Sequence, residues 1–270
     1  MDPLLRGDAR ITAERGERKY AIARDRVQRF AAAMNRVLGR HHHGGADHLP
    51  GVHHFVTTIY FDTPQRDVYR AADDSDRHLK VRAKEYYDLH PSLAAVATDP
   101  RDLVRYQPVL WLEIKEQGGV VTAKRRVALL KLQAAAFLAD GAVTDAMRAL
   151  QEDPGAFEAL NQACRGFGGP LAADCLVNYR RLAWQDATSQ VRVTLDVGLA
   201  YFGPPPDLWT RRHALVREAL GAPAAEEPLG IVEVKTLVDP PAELATVLAD
   251  LGAREIAFSK FAQASRAVHG

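Results

Sequence analysis

Hydrophobic and polar residues alternate with period two along much of this chain, the pattern of half-buried strands. A first group of such runs is "GERKYAI" (16–22), "HHFVTTIYFDTP" (53–64), "HLKVRAKEYY" (78–87), "PVLWLEIKEQ" (108–117) and "VVTAKRRVAL" (120–129). A second group is "DCLVNYRRLAWQD" (174–186), "SQVRVTLDVGLAYF" (189–202) and "LGIVEVKTL" (229–237). Pro64 ends one run, and Gly118-Gly119 turns another into its successor. Helical spacing appears in 24–40, where Val27, Phe30, Met34 and Leu38 share a face. The Ala- and Leu-rich stretch 130–166 predicts helix with a break at Pro154-Gly155. Pro240-Pro241 opens a helix that Gly252 closes, and "SKFAQASRAV" (259–268) is a last short helix. Segments 41–51, 88–107 and 203–228 read as loops, the last Pro-rich with a short helix. The strands come in adjacent pairs rather than in alternation with helices. That predicts an α+β fold built on an antiparallel sheet or closed barrel of about eight strands. Residues 1–13 read as a flexible leader and 14–268 as a single domain.

The alternation also sorts charges by face. Lys80, Arg82 and Lys84 share one side of their strand, against Leu79, Val81 and Ala83. Glu113 and Lys115 oppose Leu110, Leu112 and Ile114. The pairs Glu17 and Lys19, Lys124 and Arg126, and Glu233 and Lys235 each share a face, as do Arg192, Thr194 and Asp196. For one strand, a charged face in water explains this. Across the set, nine cations (Lys19, Lys80, Arg82, Lys84, Lys115, Lys124, Arg126, Arg192, Lys235) meet only four carboxylates (Glu17, Glu113, Asp196, Glu233). Two like charges ~4 Å apart repel by ~4 kcal/mol at an effective dielectric of 20. If the charged faces turn inward, the space needs a polyanion. Phosphate chains fit, because Arg grips phosphate in a fork and Lys meets it as a point charge. The carboxylates then suit Mg²⁺ or Mn²⁺, which bridge to phosphate.

Composition narrows the classes. Hydrophobic residues make up 47% and charged ones 26%, as in a globular protein. The net charge of +1 argues against a generic nucleic-acid binder. The start of the chain lacks an apolar signal region, and no run approaches a membrane span of roughly 18 residues, so a cytoplasmic location is expected.

In order, "ERKY" (17–20), "YFDT" (60–63), "LKVRAK" (79–84), "EIK" (113–115), "YRR" (179–181), "TLD" (194–196), "EVK" (233–235) and "SKF" (259–261) resemble the VTC domain. This is the polyphosphate polymerase domain of the vacuolar transporter chaperone, within the triphosphate tunnel metalloenzymes and related to the CYTH phosphatases. The resemblance spans roughly residues 14–265. It implies an antiparallel, eight-stranded, tunnel-like β-barrel with flanking helices. It also implies transfer of the γ-phosphate of ATP to inorganic polyphosphate with Mn²⁺ or Mg²⁺. Lys19, Arg82, Lys84, Lys115, Arg181, Arg192 and Glu233 would be catalytic. Those cations, with Lys80, Lys124, Arg126, Lys235 and Lys260, would bind phosphates. Glu233 would be the main metal ligand, with Glu113 and Glu17 as weaker candidates. A separate membrane protein is a partner expected by analogy; a nucleic acid is not.

Two departures bear on the chemistry. The tunnel phosphatases begin E-x-E-x-K, whereas Arg15, Glu17 and Lys19 stand here. A lost carboxylate weakens the case for a second metal that activates water, which favours transfer over hydrolysis. Lys84 stands where Arg is usual, keeping charge but losing the fork. A tunnel hydrolase and a non-catalytic polyphosphate-binding module are the alternatives. Other signals are weaker. His41, His42 and His43 sit in a Gly-flanked loop near His48, His53 and His54, a poor preorganised site with no accompanying carboxylate pattern. "GFGG" (166–169) lacks the Lys-Ser or Lys-Thr of a P-loop. Cys164 and Cys175 read as buried apolar residues.

Overall fold

The structure is a computed structural model that describes residues 9–12, 16–40, 54–74, 77–87, 109–118, 121–149, 155–167, 169–188, 190–211 and 213–270. The loop 41–51, the stretch 88–107 and Arg15 lie outside the described residues.

One large antiparallel sheet organises the chain. Its strands are β1 (Ala9–Thr12), β2 (Gly16–Ile22), β3 (Gly39–Arg40), β4 (His54–Asp62), β5 (Arg77–Tyr87), β6 (Val109–Gly118), β7 (Val121–Leu130), β8 (Ala172–Gln185), β9 (Val191–Phe202), β10 (Ala225–Glu226), β11 (Gly230–Thr236) and β12 (Arg254–Glu255). The hydrogen-bonded path runs β1-β7-β6-β5-β4-β8-β9-β11-β2-β12, with β3 beside β8 and β10 beside β9. All eight expected long strands form. The expected closed eight-stranded barrel does not: the path holds ten strands, and its ends, β1 and β12, do not pair among the described residues. The sheet curls instead. Lys115 on β6 reaches Glu17 on β2 at 3.5 Å, although six steps of the path separate those strands. Side chains bridge the two arms where no backbone ladder does. Ala9–Thr12, inside the segment read as a leader, pairs with β7.

Helices sheathe the outer face. Val27–Val37 forms α1 and Ala242–Asp250 forms α6. They pack on β2, β8, β9 and β11, where Phe30, Met34, Trp184, Val193, Leu195, Val232 and Leu248 belong to one buried cluster. Trp184 stands edge-on to Phe30 at 5.9 Å, and its Nε1 donates to Asn35 Oδ1 at 2.7 Å, so a large apolar ring is buried with its one donor satisfied. Pro241 caps α6, and Gly252 follows it with φ +60°, the end signals read from sequence. Over β6 and β7 lie α3 (Lys131–Asp140), α4 (Asp145–Ala149) and α5 (Gly155–Arg165). Their Phe137, Leu138, Met147, Phe157 and Leu160 meet Leu110, Leu112, Ile114 and Val127.

Two further helices sit by one end of the curl. Asp67–Asp74 (α2) had no sequence-based expectation. It is anchored by Asp62, whose carboxylate accepts from the backbone N–H groups of Thr63, Val68 and Tyr69 at 2.8–2.9 Å. That is the local task of Asp62 in "YFDT": it satisfies the orphan donors of a helix start. Lys260–His269 (α7) is capped by Ser259, whose Oγ accepts from Ala262 N–H. No helix among the described residues is long and apolar enough to cross a membrane.

Candidate functional site on the concave face

Cross-strand register carries the charged positions to one surface. Lys19 lies opposite Glu233, and Glu17 opposite Lys235, in the β2–β11 ladder. Lys235 faces Arg192 across β9. Arg181 faces Asp196 across β8–β9. Lys80 meets Lys115 and Arg82 meets Glu113 in β5–β6, while Arg126 follows Glu113 and Lys124 follows Lys115 in β6–β7. The side chain of Lys124 lies outside the described residues; its backbone occupies the expected register.

Three carboxylate centres organise these cations. Asp196 is fully buried and held in a fork by Arg181, Nε to Oδ1 at 2.6 Å and Nη2 to Oδ2 at 2.7 Å. Lys260, from the first turn of α7, reaches the same carboxylate at 2.6 Å. Burial alone would raise its pKa, but Arg181 and Lys260 outweigh burial and hold it below the usual range. Glu113, also buried, takes a charge-assisted bond from Arg82 Nε and has Lys84 at 3.6 Å.

The third centre is more open. Glu17 is 3.0 Å from Lys19, 3.2 Å from Lys235 and 3.5 Å from Lys115, with about a quarter of its side chain exposed. Burial and the neighbouring Glu233 push its pKa up, yet the three lysines overcome both and drop it to about 2. Glu233 pairs with Lys235 at 2.9 Å and is held well below the carboxylate range, its burial outweighed by Lys235, Arg181, Lys260 and Lys19. Lys235 is pushed up by Glu233 against its own burial.

Lys80 is the exception. It has no salt bridge among the described residues and donates only to Ser259 Oγ at 3.2 Å. Burial, then Lys19, Arg82 and Lys115, pull its pKa down from 10.5 to about 7. Lys115 is lowered as well, chiefly by burial. The surface therefore holds more positive charge than its carboxylates neutralise: Lys19, Lys80, Arg82, Lys84, Lys115, Arg181, Lys235 and Lys260 against Glu17, Glu113, Asp196 and Glu233.

Sequence reasoning missed the tyrosines. Tyr179 lies under the Arg181 guanidinium at 5.2 Å and the Lys260 ammonium at 5.0 Å. Tyr60 stacks on Phe261 of α7 at 5.0 Å. Burial pushes the Tyr60 and Tyr86 hydroxyls up to about 12, so both stay neutral donors. Period two could have found Tyr86, two residues beyond Lys84 on the same face. The motif "SKF" resolves into three tasks: Ser259 caps α7 and receives Lys80, Lys260 grips Asp196, and Phe261 stacks on Tyr60. Arg126 lies on the Trp111 ring at 4.6 Å.

A family model for the VTC domain matches residues 14–269. The chain belongs to the VTC domain family. No curated protein matches its sequence. Among solved structures, a Bacillus halodurans protein provisionally described as an adenylate cyclase has TM-score 0.50 at 12% identity, covering 93% of this chain and 97% of its own. A Vibrio parahaemolyticus protein described in the same way has TM-score 0.38 at 11% identity, covering 92% and 96%. The first of these likenesses concerns the fold alone.

In this VTC domain, Glu17 and Glu233 have the donor chemistry for a hard divalent cation. Both are ionised, and a cation already bridges them: Lys235 Nζ lies within 3.2 Å of each. No group of three metal-ligating side chains occurs among the described residues, so a cation there needs phosphate oxygens and water as well, as Mg²⁺ commonly does. Glu113 fits less well, being occupied by Arg82 and Lys84.

Proposed function

We propose that this VTC domain is a polyphosphate polymerase that transfers the γ-phosphate of ATP to a polyphosphate chain held on the concave face. Lys80 carries the reading. A part-buried ammonium with three cationic neighbours and no salt bridge among the described residues is destabilised by its surroundings more than Glu17 offsets, and a bound polyanion removes that cost. Family membership supports a phosphate-related, phosphoryl-transfer role on this fold.

Phosphoryl transfer depends on positioning and charge neutralisation rather than on a protein nucleophile. Lys19, Lys80 and Lys115 would contact the phosphates from the open side, with Lys235 joining when it leaves the carboxylates. Arg82, Lys84, Arg181 and Lys260, fixed by Glu113 and Asp196, would form the rigid wall. Lys124, Arg126 and Arg192 would extend the track. Glu233 with Glu17 would hold Mn²⁺ or Mg²⁺, whose role is to neutralise charge on the transferring group. An oxygen of the acceptor's terminal phosphate forms the new bond to the γ-phosphorus. The bond from that phosphorus to the β–γ bridging oxygen breaks, and ADP leaves with its electron pair. The cysteines are unsuited to covalent catalysis: burial pushes the Cys164 thiol up to about 12, and Cys175 is raised further from reactivity.

Incubation with ATP and Mn²⁺ tests the reading. Long-chain polyphosphate with stoichiometric ADP is expected. Free phosphate alone would mark a hydrolase, and neither product would mark a binding module; either result overturns the proposal.

A further inference from the structure

The outer face carries a second candidate site, where the sheath is incomplete. Between the start of α1 and the segment 216–230, a cavity of about 970 Å³ opens over β4, β5 and β8, on the side of the sheet away from the lysines. Its wall includes Phe55 and Tyr87, stacked with ring centroids 5.4 Å apart and planes 13° from parallel. Arg180 lies over Phe55, its guanidinium carbon 5.8 Å from the ring centroid.

Arg180 and Arg181 are neighbours in β8, and alternation sends them to opposite faces. Arg180 faces Val197, and just beyond it β9 carries an extra residue beside Gly198, where φ is +62°, a conformation that favours glycine. The two arginines differ in partners. Arg181 is gripped by Asp196. Arg180 makes no hydrogen bond or ion pair among the described residues, and its Nε is buried without an acceptor. Burial lowers its pKa. Two other donors in the wall are engaged. Arg217 binds Glu226 and the Gly198 carbonyl, and Asn178 Nδ2 donates to Thr57 Oγ1 and Tyr87 Oη.

An unpartnered guanidinium, buried at Nε and beside a flat aromatic pair, is suited to an anion attached to a ring. The wall as a whole is not cationic. Against Arg24, Arg180 and Arg217 it sets Asp25, Glu218, Glu226 and Glu227, which disfavours a polyphosphate. The volume lies within the range for small-molecule sites. We infer that this cavity binds a small organic monoanion with a flat ring, its anionic group on Arg180 and its ring against Phe55 and Tyr87.

Calorimetric titration of the full chain with indole-3-acetate tests this. One site is expected, unaffected by saturating tripolyphosphate or by Lys115→Ala. Arg180→Leu and Phe55→Ala should each weaken binding at least tenfold, and so should replacing the probe with neutral indole-3-ethanol. Arg180→Lys keeps the charge while losing the fork, and should weaken binding threefold or more even if the leucine variant does not fold. No binding to the wild-type chain, displacement by tripolyphosphate, or unchanged affinity in Arg180→Lys would overturn the inference.

Discussion

The two faces of the sheet are built from alternate residues of the same strands, yet they solve opposite problems. The outer face is mostly apolar and covered by helices, apart from the cavity beside Arg180. The concave face is crowded with cations, and only part of that charge is neutralised. Within it, Asp196 and Glu113 are closed centres, buried and saturated by fixed partners. Glu17 and Glu233 are held by flexible lysines that could exchange them for another cation. Lys80 belongs to neither kind of centre. Stability therefore resides mainly in the covered outer face and the closed centres, and polyanion binding in the open one.

The largest effect expected is for Asp196→Asn. It leaves the Arg181 and Lys260 charges buried without their carboxylate, which should lower unfolding free energy by about 3–5 kcal/mol and loosen α7. Chemical denaturation measures the first, and hydrogen exchange across 260–269 the second. A loss under 1 kcal/mol would mean that Asp196 is not a closed centre. Phe30→Ala, on the outer face, should cost about 3–5 kcal/mol while leaving tripolyphosphate affinity unchanged in the folded fraction. An altered affinity would show that the two faces are coupled.

Glu233→Gln should do the reverse. Turnover in Mn²⁺ should fall by about 100-fold or more, equivalent to ~2.7 kcal/mol, with partial retention of nucleotide binding and little change in denaturation midpoint. Normal turnover would remove Glu233 from the metal site. Lys80→Met is the smallest perturbation and the most informative about charge. In the folded protein Lys80 binds its proton less tightly than in the unfolded chain, where its pKa is near 10.5. It therefore makes stability rise as pH climbs from about 7 towards 10.5. The variant should lose that slope and gain roughly 1 kcal/mol at pH 7, after allowing for screening by solvent. It should also weaken tripolyphosphate binding by about tenfold. In the wild type, binding restores the charge and takes up a proton, so affinity should fall above pH 7; in the variant that dependence should flatten.

The inner cations were legible because period two sorts side chains without knowledge of pairing. Lys80, Arg82, Lys115 and Lys235 could be assigned one by one, and ladder register then brought them together. Closure was not legible. Alternation says which way a side chain points, not whether the first and last strands meet, and here Lys115 and Glu17 bridge the arms instead. The short strands β1, β3, β10 and β12 have two to four residues each, too few to display a period. Helix α2 has few apolar positions, and its start depends on Asp62, which lies five residues upstream inside a strand. The resemblance puts Arg181 rather than Arg180 in the tunnel, but the unpartnered setting of Arg180 on the other face was hidden, since "YRR" says nothing of what surrounds it.

The most direct measurement is calorimetric titration with tripolyphosphate at several salt concentrations, on the wild-type chain and on Lys19→Ala/Lys115→Ala. One tripolyphosphate per chain is expected, with affinity that falls as salt rises and drops by about 100-fold, ~2.7 kcal/mol, in the double variant. Absence of binding, or equal affinity in the two proteins, would contradict a polyanion channel on the concave face.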